Sequence, residues 1–229
     1  PFNTSQLPPG FSERGIRKGG TYLIVGGSGV VGRIISKRLM EDYQAKVIWI
    51  GRSSPQSPKI VSILESFREF GTVPVYFQAD VTDLDSMQKV ADGVAERFGT
   101  VHGAVFSAVV SEENNTLAAT SESAFRRIFE TKSKGSAIFH HLFHAKVSDF
   151  LCYFSSIQAF PFTSSSDSSG YAAGITKADA FHRAVVKNSA VPVGVINWGY
   201  WKSFVEGTSL GKRLGDRFGL IEDGEGFEF

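Results

Sequence analysis

A strand-like apolar run, Tyr22 to Val25, precedes Gly26, Gly27, Gly29 and Gly32, and Ile34, Ile35 and Leu39 follow at helical spacing. Gly27, Gly29 and Gly32 spell G-x-G-x-x-G between a strand and a helix, the context in which that pattern speaks for dinucleotide binding. One glycine makes the tight turn, one lets the backbone approach a pyrophosphate, and one lets helix and strand pack closely. The free N–H groups of the helix N-terminus then receive the phosphates. Arg52 follows the next apolar run, Lys46 to Ile50, where an NAD site would carry an acidic residue for the ribose hydroxyls. An arginine there can pair bidentately with a 2′-phosphate, which favours NADPH over NADH. Asp80, after the third run, is placed to meet the adenine, whereas Asp83 suits the cap of the following helix.

A second chemical signal lies on a long helical segment, about Ser121 to Ala145. Phe125, Ile128, Phe129, Ser136, Phe139, Leu142 and Phe143 form its apolar face, and Lys132 falls on that stripe while Lys134 does not. A core-facing lysine costs free energy unless its ammonium is paired or reaches a polar site. The alternative is that the stem packs and the head reaches water. His140, His141 and His144 share the helix without acidic or cysteine partners, so they read as surface residues, and no metal site is expected.

The elements that must position these groups alternate. Strands are expected at Tyr22–Val25, Lys46–Ile50, Val73–Phe77, within Val101–Val109, at Phe150–Phe154 and at Val191–Ile196, with helical stripes between them. This alternation implies an α/β fold, a Rossmann-like doubly wound parallel sheet with helices on both faces. Residues 1–20, with Pro8-Pro9-Gly10 and Gly19-Gly20, read as a linker or irregular arm. Residues 21–200 read as the cofactor-binding catalytic unit, and 201–229 as a lid and tail with a short helix near Leu210–Phe218. The serine-rich stretch Ser164–Ser169 reads as a mobile loop.

The chain has 229 residues and a net charge of +1, so nothing in its electrostatics points to nucleic acid or membrane. Cys152 is its only cysteine, which leaves no disulfide framework. Without a long apolar run or a signal-peptide pattern, a cytoplasmic setting is expected.

Seven stretches in order, GGTYLIVGGSGVVGR, IGRSS, QADVTD, GAVFSAVV, YFSSIQAF, GYAAG and VINWGYW, together resemble the ketoreductase domains of modular polyketide synthases, relatives of the short-chain dehydrogenases/reductases. FSSIQAF, GYAAGIT and INWGYW are most similar to synthases whose acyltransferase acts in trans. The resemblance covers about Gly19 to Gly226. It implies a catalytic Lys132, Ser156 and Tyr171, with the lysine coming from the earlier helix. Lys177, six residues after Tyr171, points to another face, and Ile175 stands where Y-x-x-x-K would need a lysine. It further implies an NADPH site at Gly27, Ser28, Gly29, Val30, Gly32, Arg52, Ser53, Asp80, Val81, Ser107 and Ala108. The implied substrate is a β-ketoacyl chain on the phosphopantetheine of an acyl carrier protein. Tyr171 would protonate the carbonyl oxygen, Ser156 would hydrogen-bond it, and Lys132 would lower the tyrosine's pKa.

The sequence departs from the family pattern in places. Ile175 replaces an asparagine, Val25 a threonine and Val109 a glycine; the loop between Ser156 and Tyr171 is two residues longer than usual. The family's N-terminal half, a structural subdomain, is missing, so neighbouring synthase domains are expected partners, together with an apolar surface that such a subdomain would cover. Two functional readings follow: an active β-ketoacyl reductase, favoured by the intact Lys132, Ser156 and Tyr171, and a reductively silent structural or epimerising domain. A free-standing alcohol dehydrogenase is a third reading.

Overall fold

The computed structural model describes residues 15–110, 120–160, 169–206 and 219–227. Six strands, β1 (Thr21–Val25), β2 (Lys46–Gly51), β3 (Val75–Gln78), β4 (Val101–Phe106), β5 (Val147–Ser156) and β6 (Val193–Trp198), form one sheet in the order β3-β2-β1-β4-β5-β6. Every neighbouring pair is parallel. β1 is buried along its whole length. That is why it reads as a continuous apolar run rather than an alternating one: both faces of a parallel sheet are covered.

Helices α1 (Val30–Tyr43), α2 (Pro58–Ser66), α3 (Leu84–Phe98), α4 (Glu122–Phe143) and α5 (Ser169–Val186) supply the crossovers. Their ends follow local chemistry. Ser57, Asp83 and Ser121 cap α2, α3 and α4, each side-chain oxygen accepting from a first-turn N–H. Pro58 opens α2, where its missing N–H costs nothing. α1 stops at Gln44, left-handed at φ 51°, whose N–H returns to Leu39 and Met40 carbonyls.

Side chains alternate across each strand, so two cores form. Leu23, Val25, Ile48 and Ile50 pack with Met87, Val90 and Val94 of α3 and Phe139 and Phe143 of α4. Tyr22, Ile24, Val47 and Trp49 pack with Ile35, Leu39 and Met40 of α1 on the other face. The doubly wound arrangement expected from the sequence is the one observed.

Several boundaries move. β3 begins at Val75, because Pro74 has no N–H for the ladder. β4 ends at Phe106; Ser107 extends its contact with β1 through N and Oγ, both donating to the Val25 carbonyl at 3.0 and 2.8 Å. β5 is ten residues long and reaches Ser156. Leu84, the first residue of α3, is exposed.

The arm's described end is pinned to the sheet. Arg17 Nε and Nη2 donate to Asp149 at 2.6 and 2.8 Å, Arg17 N donates to the Tyr22 hydroxyl at 2.6 Å, and Gly19 N donates to Tyr43 O at 2.7 Å. The rest of the arm, Ser164–Ser168 and the helix expected near Leu210–Phe218 lie outside the described residues. The tail's described parts are α6 (Lys202–Val205) and two strands, β7 (Tyr200–Trp201) and β8 (Leu220–Ile221), which pair in parallel. Trp201, Ile221 and Phe227 join the core on the α1 face. Exposed large apolar residues include Val61, Val73, Leu84, Val109, Phe160 and Phe204. No described helix is long and apolar enough to cross a membrane.

Candidate active site

The glycine turn joins β1 to α1 at the carboxyl edge of the sheet. The residue that makes the turn is Gly26, at φ 82°, and not one of the three in the pattern. A Cβ there would stand 3.0 Å from the Ala108 backbone. Gly27 has a packing task, since a Cβ on it would collide with the Trp49 indole. Gly32 lets α1 press on the turn, where a Cβ would meet the backbone of Gly26 and Gly27. Gly29 is exposed, precedes the helix at φ −72° and offers no side-chain cap; the first turn of α1 holds no acidic residue either. The first-turn N–H groups of α1 thus have no side-chain cap, the condition under which a helix start can receive phosphate oxygens. Ser28 and Val30, half-buried, flank it.

Arg52 and Ser53 follow β2, both exposed. Their carbonyls are fixed by β3, through Gln78 Nε2 at 3.1 Å and the Tyr76 hydroxyl at 2.9 Å. The Arg52 guanidinium makes no ion pair among the described residues. Asp80 is exposed, and its Oδ1 accepts from Thr82 N and Oγ1 at 2.8 and 2.7 Å, which shapes the turn before α3. Val81 is buried against Gly135 of α4. Ser107 and Ala108 close the opposite side of the turn. The structure thus gathers all the expected cofactor positions along the ends of β1–β4.

Lys132, Ser156 and Tyr171 come from α4, β5 and α5. Two glycines bring these helices together: a Cβ on Gly174 would lie 2.9 Å from the Phe129 carbonyl, and one on Gly170 3.3 Å from that of Phe125. The close approach sets Lys132 Nζ 5.8 Å from the Tyr171 ring centroid. Lys132 is 4% exposed, and its Nζ donates to the Phe154 carbonyl at 2.9 Å. Of the two readings of its stripe position, burial at a polar site is the one observed. Burial pushes its pKa down to about 8, with Asp179 opposing. Lys177 is exposed, its Nζ 5.3 Å from the Phe129 ring centroid.

Ser156 ends β5 with its Oγ accepting from Gln158 N at 3.2 Å. Burial pushes the Tyr171 phenol up to about 12, and a hydrogen bond with Ser156 works against the rise. The net shift is therefore upward, not the downward one expected beside Lys132. The ammonium is committed to a backbone carbonyl, and desolvation of the phenol dominates.

Sequence reasoning missed Asp179, His182 and Asn197. Asn197 Nδ2 donates towards Asp179 Oδ2 at 2.9 Å, Ser155 Oγ at 3.0 Å and Ser156 O at 3.2 Å, tying α5 to the ends of β5 and β6. A signal existed: Asp179 and His182 continue the Tyr171–Ile175 face of α5, so a charged group sits on a buried stripe, as with Lys132. His140 also departs from its surface reading. It is half-buried, with Nδ1 2.8 Å from the Tyr153 hydroxyl, because it follows the same stripe as Ser136. Among the described residues no group of three His, Cys, Asp or Glu could hold a metal.

The model of the KR domain family matches residues 20–203. The chain is 36% identical over 193 residues to polyketide synthase ThaG of Burkholderia thailandensis, covering 84% of this chain and 3% of that protein. It is 32% identical over 215 residues to polyketide synthase PksN of Bacillus subtilis, covering 93% and 4%. The chain therefore spans a few hundredths of the length of these relatives. Among solved structures it is similar to a ketoreductase domain from the bacillaene assembly line, with a TM-score of 0.80 and 25% identity over 93% of this chain and 52% of that one. An alcohol dehydrogenase from Thermococcus sibiricus, solved with 5-hydroxy-NADP, shares the fold at a TM-score of 0.74 and 19% identity, covering 91% and 87%. With a parallel sheet of this order, the glycine turn and the family match over most of its length, the chain belongs to the KR domain family, the ketoreductases of polyketide synthases within the short-chain dehydrogenase/reductase fold.

Proposed function

We propose that this chain reduces a β-ketoacyl group, held as a thioester on the phosphopantetheine of an acyl carrier protein, to the β-hydroxyacyl product with NADPH. The observation that carries this reading is the convergence of Lys132, Ser156 and Tyr171 from three separate elements. Relatives that are polyketide synthases support the substrate class. An acyltransferase acting in trans and a covering subdomain elsewhere in the synthase belong to the same proposal.

The cofactor fits the residues present: the uncapped start of α1 can hold the pyrophosphate, and the Arg52 guanidinium, without an ion pair among the described residues, can hold a 2′-phosphate. When bound, the nicotinamide supplies the hydride. The chain's own groups do the rest. Tyr171, its phenol kept protonated by burial, donates a proton to the carbonyl oxygen as negative charge gathers there. Ser156 Oγ hydrogen-bonds the same oxygen and fixes the ketone's direction. Lys132 brings positive charge to within 5.8 Å of the tyrosine ring centroid. It stabilises the phenolate left after transfer.

The test is incubation of the chain with NADPH and a simple β-ketoacyl thioester, followed by chiral analysis of the product. Oxidation of NADPH with formation of the β-hydroxyacyl thioester supports reduction. Tight NADPH binding without product would support the reductively silent reading instead.

A further inference from the structure

Lys132, Phe154, Ser155, Ile175, Asp179 and His182 wall a small cavity of about 10 Å³. That is roughly the space one water needs, provided two to four polar partners surround it. The partners are there. Asp179 Oδ1 and both ring nitrogens of His182 are buried without a hydrogen-bond partner among the described residues. Asp179 is 5% exposed and His182 2%. Orphaned polar atoms at this depth are costly unless water satisfies them. Lys132 Nζ gives one proton to the Phe154 carbonyl and has two more to offer.

The charges around the cavity are few. α5 presents Ile175, Ala178, Asp179 and His182. β4 and β5 present Phe106, the Phe154 carbonyl and Ser155, and α4 adds Ser136; none of these is charged. Among the described residues Asp179 is therefore the one negative group facing the ammonium, and it opposes the loss of the lysine's proton. Its direction is fixed because Asn197 holds the other oxygen, Oδ2, at 2.9 Å. The His182 ring, stacked on Tyr153 at 3.8 Å between centroids, is held neutral by burial and by Lys132, so one of its nitrogens can accept a hydrogen bond.

We propose that Asp179 is a positioning residue that keeps Lys132 charged through one bound water, which accepts from Lys132 Nζ and donates to Asp179 Oδ1 and a His182 ring nitrogen. The inference rests on reading Lys132 as the lysine of the reaction, but its test does not need turnover. In a crystal structure of the unmodified chain, an ordered water should lie within about 3.2 Å of both Lys132 Nζ and Asp179 Oδ1. A dry cavity would overturn the proposal. Lys132 can then be titrated by NMR of its labelled side chain, assigned by loss of the signal in Lys132→Arg. In Asp179→Asn, which keeps an acceptor for Asn197, the midpoint should fall by about one pH unit or more, the effect of losing a nearby opposite charge. Asp179→Glu should restore most of it. An unchanged midpoint in folded Asp179→Asn would also overturn the proposal, and should that variant not fold, the crystal water decides. If the unmodified chain reduces no thioester, the proposed function fails while both readouts still judge Asp179.

Discussion

The indole of Trp49 fills the space that a methyl group on Gly27 would need, and its Nε1 donates to Ser36 Oγ at 2.8 Å. Ser36 passes the bond on to the Gly32 carbonyl at 2.6 Å. The second strand thus supports the glycine turn and the first helix from beneath. Gly27→Ala should destabilise the chain even without cofactor, by about 1–3 kcal/mol, the usual cost of overpacking a tight core. Thermal or urea unfolding of the ligand-free variant reads this. Unchanged stability with weakened cofactor binding would mean that Gly27 serves the ligand alone.

Lys132→Ala should lower reduction by about a hundredfold or more, the low end of what a positioned acid–base system supplies. Lys177→Ala should change it little, since that ammonium is exposed and lies over Phe129. Rates with a model β-ketoacyl thioester compare the two. A dead Lys177→Ala enzyme beside an active Lys132→Ala enzyme would reverse the assignment.

Arg52 bears on cofactor choice. NADPH should bind more tightly than NADH, and Arg52→Ala should remove most of that preference, because a bidentate arginine–phosphate contact has no counterpart in NADH. Titration calorimetry with both cofactors measures it. Equal affinities in the unmodified chain would refute the role.

The Arg17–Asp149 pair gives a pH-dependent contribution to stability. The Arg17 hydrogen bonds hold the Asp149 carboxyl below its ordinary range, outweighing the opposing effect of burial. A carboxylate with a depressed folded pKa stabilises the fold above its unfolded pKa, about 3.9, and loses that contribution as pH falls through the folded value. Asp149→Asn should therefore melt about 3 °C lower at neutral pH, with the gap closing in acid. Melting curves from pH 3 to 7 check the sign. A gap that widens below pH 4 would contradict it.

Much of this was legible in the sequence because parallel strands announce themselves as apolar runs and helices by their stripes. The stripe of α4 by itself puts Lys132 on the core side of its helix. Its environment was not readable, because the Phe154 carbonyl belongs to a strand 22 residues away in sequence. The Gly26 turn was hidden beside three glycines that fit the familiar spacing. Asp179 lies on the Tyr171 stripe of α5, but its partner Asn197 stands at the end of β6, 18 residues on, so spacing within the helix does not reveal its role. The Arg17–Asp149 link joins residues 132 apart, and no local pattern signals such a contact.

The close approach of Gly26 to the Ala108 backbone leaves that rim of the proposed cofactor groove little room for a side chain at position 26. An engineer wishing to retune cofactor choice therefore has little to vary there. Substitution at Gly26 would demand both an unfavourable backbone angle and displacement of the β4 exit. The opposite rim is built differently, with Arg52, Ser53 and Asp80 all exposed. A variant library confined to that rim can change recognition while leaving the packing between the first and fourth strands intact.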